Sequence, residues 1–393
     1  MNIGLMGLDF GSENLGCGAL SYSFLNVLAS ISEQMNINID VYVFTQEPCH
    51  ISEEVTSSLN SVRIIDFHLK KLKTMTNLVK RMCECSYIFD FTAGDSFSDI
   101  YGMSRFMKNC FVKYLAVNST KNYILGPQTI GPFYSALARK IGKDILDKAS
   151  CIYARDDLSA KYVTEISQKI PEIAIDVAFA LPYQDSAPFH SVDGKQHIGL
   201  NISALLWNGG YTGKNQFSLN VDYKKYCIKL SEWLDENGYI VHLISHVQCP
   251  NFAVEDDRRA CEDLQQINNT NYVLSPFFAS PMEAKSYISR LDCLVGARMH
   301  STIAALSSGT TVIPFAYSRK FNGLFQTLNY PYVIDGTVLS TEDALAKTKE
   351  YILGNDLLSA KAIEANDFAQ EKLARFKSSI MNTFLGETEN GRN

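Results

Sequence analysis

The chain has 393 residues and carries 36 Lys and Arg against 42 Asp and Glu, a formal net charge of −6 at pH 7 with a pI near 5.7. An acidic chain lacks the basic face that a phosphate backbone needs, which excludes broad nucleic-acid binding and leaves room only for local cationic pockets. Its 46% apolar and 20% charged residues are those of a globular protein, long enough for two domains of roughly 150 to 200 residues.

The start, MNIGLMGLDFGSENLG, has no basic residues ahead of its apolar run and reads as a first strand, not as a secretory signal. No run of ~18 uncharged apolar residues stands out as a membrane span. A cytoplasmic protein is expected, with peripheral membrane association left open. The ten cysteines include one CxC pair and no CxxC, so they read as reduced thiols used as small core residues. No metal or cofactor is expected.

In chain order, short β-rich runs alternate with helical stretches: NIGLMGL, a helix from about Cys17 to Gln34, IDVYVF, SVRIIDF, a helix, SYIFDFT, a helix, NYILGP, a helix, CIYARD. Strand, helix, strand repeated in this way predicts a parallel sheet with helices on both faces. LPYQDSAPFHSVDGKQ (181–196) breaks the pattern with prolines, a glycine and polar residues, and is the expected interdomain linker. Beyond it come HIGLNIS, a helix across VDYKKYCIKLSEWLDENG, YIVHLIS, a helix near Glu255 to Ile267, NYVLS, SPMEAKSYISR, LDCLVGA, STIAALSSG, TTVIPFA and YPYVID, which repeat the alternation. From about Ser340 the signals are helical only, and GETENGRN reads as disordered.

The expected fold class is therefore α/β, with two Rossmann-like domains in a GT-B-type arrangement and a C-terminal helix packing back on the first domain. The expected boundaries are 1–181 for the N-terminal domain on the acceptor side, 197–339 for the C-terminal domain on the donor side, 340–385 for the terminal helices and 386–393 for the tail. In open α/β sheets ligands bind beyond the carboxyl ends of the strands, so chemistry is expected in the cleft between the domains.

VGARMHSTIAALSSGTTVIPFAYSRK (295–320) carries the strongest chemical signal. Arg298, Met299 and His300 follow a buried strand and precede a small-residue helix, whose free N–H groups attract anions. A parallel neighbouring strand, TTVIPFA, would bring Tyr317, Arg319 and Lys320 to the same edge. By spacing alone, solvated loop ends with His300 as a helix cap account for the pattern nearly as well. In FTAGDSFSDIYG (91–102), Asp95 and Asp99 offer carboxylates for a hydroxyl-bearing ligand or for capping. GSENLGCGAL (11–20) lacks the glycine spacing of a dinucleotide loop and the lysine of a P-loop, and Asn14 reads as a contact or a cap. In GPQTIGPF (126–133) two Gly-Pro steps shape a loop from which Gln128 or Thr129 could face the cleft. His246 ends a strand and should face the cleft, His242 should be core, and His50, His68, His190 and His197 read as surface or loop residues. The adjacent pairs Asp156-Asp157 and Asp256-Asp257 read as caps or solvated groups.

GPQTIGPF, CIYARDDLSAKYV (151–163), DVAFAL (176–181) and above all GARMHSTIAALSSGTTVIPFAYSRKFNG, in this order, resemble the polysaccharide pyruvyl transferase family over about residues 1 to 335. The most specific part is the Arg-x-His step followed by a small-residue helix, a buried strand and Tyr-x-x-Lys. The resemblance implies transfer of the pyruvyl unit of phosphoenolpyruvate to a sugar of a cell-surface polysaccharide or its precursor, closing a pyruvate ketal and releasing phosphate. It implies that Arg155, Arg298 and His300 bind the donor, with Lys320, at the Tyr-x-x-Lys step, a further phosphate contact. Protonating the donor wants a general acid near neutral pKa, for which His300 is the candidate with an Asp or Glu of the first domain as competitor, and Asp95 reads from its loop as a catalytic base or an acceptor ligand. Asn14, Asp95, Asp99, Gln128 and His246 would touch the acceptor, a glycan, a lipid-linked sugar or a nucleotide sugar. Cys17 stands where the family commonly has Asp, and Ala93-Gly94-Asp95 where it often has a run of glycines. Two other classes fit parts of the pattern: a GT-B glycosyltransferase with a nucleotide-sugar donor on the same cationic cluster, and a non-enzymatic binding protein. Against the first, the second half shows no clear acidic ribose-binding step.

Overall fold

A run such as CLVG has no polar alternate positions, so it belongs in a sheet covered on both faces. A computed structural model describes residues 1–47, 49–52 and 55–390 and resolves them into two α/β units, each built on a wholly parallel sheet. Unit 1 comprises Met1–Gly11, Leu20–Ala180 and Gln370–Asn393, and unit 2 comprises Ser12–Ala19 and Leu181–Ala369.

The sheet of unit 1 contains β1 (Asn2–Met6), β2 (Asp40–Thr45), β3 (Ser61–Asp66), β4 (Tyr87–Asp90), β5 (Tyr123–Gln128), β6 (Cys151–Ala154) and β7 (Glu172–Ile173), in the order β3-β2-β1-β4-β5-β6-β7. Central β4 and β5 are buried throughout, while edge strand β3 is largely exposed. The order reverses between β1 and β4, and a Rossmann-like sheet opens a crevice at such a point. The first half also holds α1 (Leu15–Met35), α2 (Leu72–Cys83), α3 (Met103–Ser119), α4 (Ala136–Lys148) and α5 (Asp157–Ile166). Helix α1 is more apolar than the sequence reading allowed. It is long and apolar enough to cross a membrane, yet 83% of its most apolar stretch is buried in the protein, as expected of a core helix.

Unit 2 contains α6 (His190–Asp193), β8 (His197–Asn201), α7 (Ala204–Trp207), α8 (Tyr223–Glu236), β9 (Ile240–Ile244), α9 (Asp257–Asn268), β10 (Val273–Leu274), α10 (Pro281–Ile288), β11 (Cys293–Gly296), α11 (Met299–Ser307), β12 (Thr311–Ala316), α12 (Arg319–Thr327), β13 (Ile334–Asp335) and α13 (Thr341–Leu353). Its strands run in the order β10-β9-β8-β11-β12-β13. The chain closes with α14 (Asn355–Asn390).

The units are discontinuous in sequence, where the sequence reading drew a continuous first domain. Residues 12–19 fall in unit 2 because their backbone is tied there: Leu15 N donates to His246 O at 3.2 Å and Gln248 N to Glu13 O at 2.9 Å. The last part of α14 falls in unit 1, as an aromatic anchor. The Phe376 ring lies 4.7 Å from that of Tyr153 and the Phe384 ring 4.8 Å from that of Tyr87. The expected disordered tail is helical as far as Asn390, and residues 391–393 lie outside the described residues.

Segment 181–196 is fastened to unit 2 and is not a free linker. Phe189 N donates to Arg290 O at 2.9 Å and Arg290 Nε to Ala187 O at 3.1 Å. The Phe189 ring stacks on His197, which opens β8 and is buried, contrary to its reading as a surface residue. His197 Nδ1 lies 2.7 Å from His242 Nε2, and His242 is core as expected.

Candidate functional site

Chemistry-bearing residues from four separate stretches meet at the carboxyl edge of unit 2. Strand β8 ends in Asn201, whose Oδ1 accepts the Arg298 backbone N–H at 2.8 Å and the Ser301 hydroxyl at 2.7 Å. Its Nδ2 donates to Ile244 O at 3.0 Å, tying the ends of β8, β9 and β11 together. The turn that carries Arg298 into α11 is thus held by the neighbouring strand.

Arg298 has a partner of its own, which the sequence reading missed. Its Nη2 donates to Asp257 Oδ1 at 2.7 Å and to Glu255 O at 3.1 Å, and Nε lies 3.2 Å from each Asp257 oxygen. Asp257 also accepts backbone N–H groups from Ala204 at 2.9 Å and Val247 at 2.9 Å. This corrects its reading as a solvated or capping residue. Asp256 caps α9, while Asp257 is fully buried and braces three loops. Burial works against both charges, lifting the Asp257 carboxyl and opposing the Arg298 cation, which its partner nevertheless holds above the usual arginine value. Arg298 is therefore first a brace of the edge.

His300 is the second residue of α11 and is half-buried. A Cβ built at Gly16 would lie 2.4 Å from His300 Nδ1 and 3.1 Å from Asn14 Oδ1, so only glycine allows the imidazole this close to the backbone. Asn14 Oδ1 accepts Gly16 N–H at 3.0 Å, which is helix capping, the blander of its two readings. His246, two residues beyond β9, is buried and does not open onto solvent. Burial, then the charges of His300 and Arg298, push its pKa down to about 3, so it stands beside them as a neutral ring.

Two helix starts at this edge lack side-chain caps. In unit 2 helices α8, α9, α10 and α13 each have an Asp or Ser side chain accepting a first-turn N–H. The one-turn helices α6 and α7 have no such cap, and neither do α11 and α12, which follow the paired strands β11 and β12. Ser318, at the cap position of α12, keeps a buried hydroxyl without a hydrogen-bond partner. Uncapped first-turn N–H groups and the positive end of the helix dipole favour a negative ligand. Lys320, in the first turn of α12, is half-buried at this edge.

The remaining expected site residues belong to unit 1. Arg155 is buried, with Nη1 donating to Asp176 at 2.9 Å and Nε to the Thr129 hydroxyl at 2.9 Å, while Nη2 is buried without a hydrogen-bond partner. Gln128 does not line an open surface. It is wholly buried, with Nε2 donating to Asp90 O at 2.6 Å. Asp99 has both carboxylate oxygens on backbone N–H groups, of Tyr134 at 2.8 Å and Ser135 at 2.9 Å, and so shapes a loop. Asp95 is half-buried and accepts from the Tyr101 hydroxyl at 3.0 Å. Among the described residues no group of three His, Cys, Asp or Glu side chains could hold a metal ion.

Compared with known proteins, residues 14–319 match the family model described as polysaccharide pyruvyl transferase. A relative, the amylovoran biosynthesis protein AmsJ of Erwinia amylovora, is 22% identical over 302 residues, covering 71% of this chain and 69% of the relative. Among solved structures, Anabaena HepE in complex with UDP and glucose aligns with a TM-score of 0.61 at 10% identity, covering 100% of both chains. Sucrose-phosphate synthase from Thermosynechococcus elongatus aligns at 0.58 and 10% identity, again covering 100% of both. At these identities the structural likeness shows the two-Rossmann fold.

Proposed function

Because the chain belongs to the polysaccharide pyruvyl transferase family, we propose that it transfers the pyruvyl unit of phosphoenolpyruvate to a sugar of a cell-surface polysaccharide or its precursor. The relative named for amylovoran biosynthesis supports a role in polysaccharide assembly. The observation that carries the reading is the meeting of Gly16 and His300 beside the uncapped starts of α11 and α12. Phosphoenolpyruvate brings a phosphate and a carboxylate, and two adjoining helix N-termini with Lys320 in the first turn of one suit such a pair of anions. A donor from central metabolism also fits action in the cytoplasm.

In the proposed reaction the His300 imidazolium gives a proton to the donor's methylene carbon, which becomes a methyl group and leaves the adjacent carbon electrophilic. One sugar hydroxyl attacks that carbon and loses its proton. The C–O bond to phosphate breaks, phosphate departs, and a second hydroxyl closes the ketal with loss of its own proton. Of the two hydroxyl protons, one restores His300 and the other leaves with phosphate. A neutral His246 beside His300 adds no second charge to oppose the imidazolium. Arg298 holds the turn that presents His300. Arg155 as a donor ligand rests on the resemblance, and Asp95 as a base or acceptor ligand rests on its place in the loop after β4.

The test separates binding from chemistry. His300→Asn is expected to keep phosphoenolpyruvate affinity within about 3-fold while phosphate release to an acceptor glycan falls by roughly 10²- to 10⁴-fold. Normal turnover in this variant would contradict the assignment.

A further inference from the structure

The loop after β4 is bent in a way its residues resist. Thr92 and Ala93 both take positive φ, 45° and 53°, a region that a β-branched residue enters only when its surroundings force it. Here Asp90 Oδ1 accepts from Thr92 N at 3.0 Å and Thr92 Oγ1 at 2.9 Å. Asp90 Oδ2 takes Lys113 Nζ and the Tyr123 hydroxyl, each at 2.5 Å. Ala93 N donates to Gly7 O at 2.7 Å, and a Cβ at Gly7 would lie 2.3 Å from Thr92 N. A buried ion pair, two strained residues and a glycine with no room for a methyl are all committed to one short loop at the β1–β4 switch point.

That loop lines a cavity of about 210 Å³. Open to solvent on one side, it has room for one six-membered ring with its hydroxyls. Phe44, Phe67 and Val112 give the lining apolar surface, while Asp9, Ser96 and Asn109 give it hydrogen-bonding groups. Both of its cations are engaged: Lys113 by Asp90, and Arg105 by the Ser96 hydroxyl at 3.0 Å with its guanidinium over the Tyr101 ring. With Lys113 balanced by Asp90, Asp9 and Glu47 outnumber Arg105 and leave the lining net negative, which disfavours a phosphorylated sugar or a uronic acid.

We propose that this cavity in unit 1 is a monosaccharide subsite for one uncharged pyranose of the acceptor, a role that rests on reading the chain as a glycan-modifying transferase. The ring meets the apolar side chains, and its hydroxyls are read by Asp9, Ser96 and Asn109. None of these residues stood out in the sequence.

The test is ligand-observed NMR on the full chain with neutral hexoses, N-acetylhexosamines, hexuronates and hexose phosphates. At least one neutral sugar is expected to bind saturably, with the charged sugars at least about 10-fold weaker. Asn109→Trp, which fills the cavity from α3 without removing the Asp90–Lys113 pair, is expected to weaken that binding by at least about 10-fold and to leave phosphoenolpyruvate binding unchanged. Gln46→Trp, at an exposed position of the same lining, serves as the second variant if Asn109→Trp lowers the melting temperature. Absence of saturable sugar binding, preference for charged sugars, or binding indifferent to both substitutions would overturn the subsite. Sugar binding without phosphoenolpyruvate binding would instead count against the transferase reading and leave the subsite standing.

Discussion

Arg298 shows how a residue can be conspicuous in a sequence while its main partner is not. Its place after a buried strand and before a small-residue helix marked it as an anion ligand, and the structure gives it Asp257 first. Removing one member of a buried pair strands the other charge, so Arg298→Ala is expected to destabilise the chain by about 3 to 5 kcal/mol. Urea unfolding measures this, and a loss below about 1 kcal/mol would show that the pair does not brace the edge. Asp257 could not be read in advance because it sits next to Asp256, and only the latter keeps the capping role that such a pair suggests. What the sequence lacks is the 41-residue separation closing up when β9 and β11 lie on either side of β8.

At the scale of elements, strands and helices were legible because unbroken apolar runs and 3.6-residue periodicity each admit one packing. The allegiance of residues 12–19 was not, since nothing local tells a loop after β1 that its hydrogen bonds will be made with the segment after β9. Gly16 is the instructive position. In the sequence it is one glycine of a weak motif, and in the fold it lets His300 approach the start of α1. Gly16→Ala is expected to displace the imidazole and lower turnover by about 10- to 100-fold, with a smaller effect on phosphoenolpyruvate affinity. Steady-state kinetics beside a binding titration measures both, and unchanged turnover would mean that the ring position is not catalytic.

Over the whole molecule, buried neutral histidines set the response to acid. Burial, then His197 and Arg290, lowers the His242 pKa to about 4, and His246 falls to about 3. In the unfolded chain both rings take up protons near pH 6.5, so between there and pH 4 the unfolded state binds more protons than the native one. Stability therefore falls as pH falls through this window, by about 2 kcal/mol per histidine between pH 7 and pH 5. Urea midpoints across that range measure the slope, which His242→Gln should reduce. A flat profile in the unmodified chain would show that these rings are not held neutral.

The two-unit α/β plan was legible at this scale from the alternation alone. The unit 1 cavity was not, because its floor depends on a backbone conformation that Thr92 and Ala93 do not prefer and that Asp90 and Lys113 impose. A sequence is read through preferences, and sites built against preference are the ones it conceals.

The claim on which the rest depends is that the uncapped edge of unit 2 takes phosphoenolpyruvate. Calorimetric titration of the full chain with phosphoenolpyruvate, and in parallel with uridine and guanosine diphosphates, tests it without knowledge of the acceptor. Saturable binding of phosphoenolpyruvate with no comparable binding of either nucleotide is the expected result. A nucleoside diphosphate that binds more tightly than phosphoenolpyruvate would contradict the pyruvyl transfer proposed here and make the same edge the diphosphate site of a nucleotide-sugar enzyme.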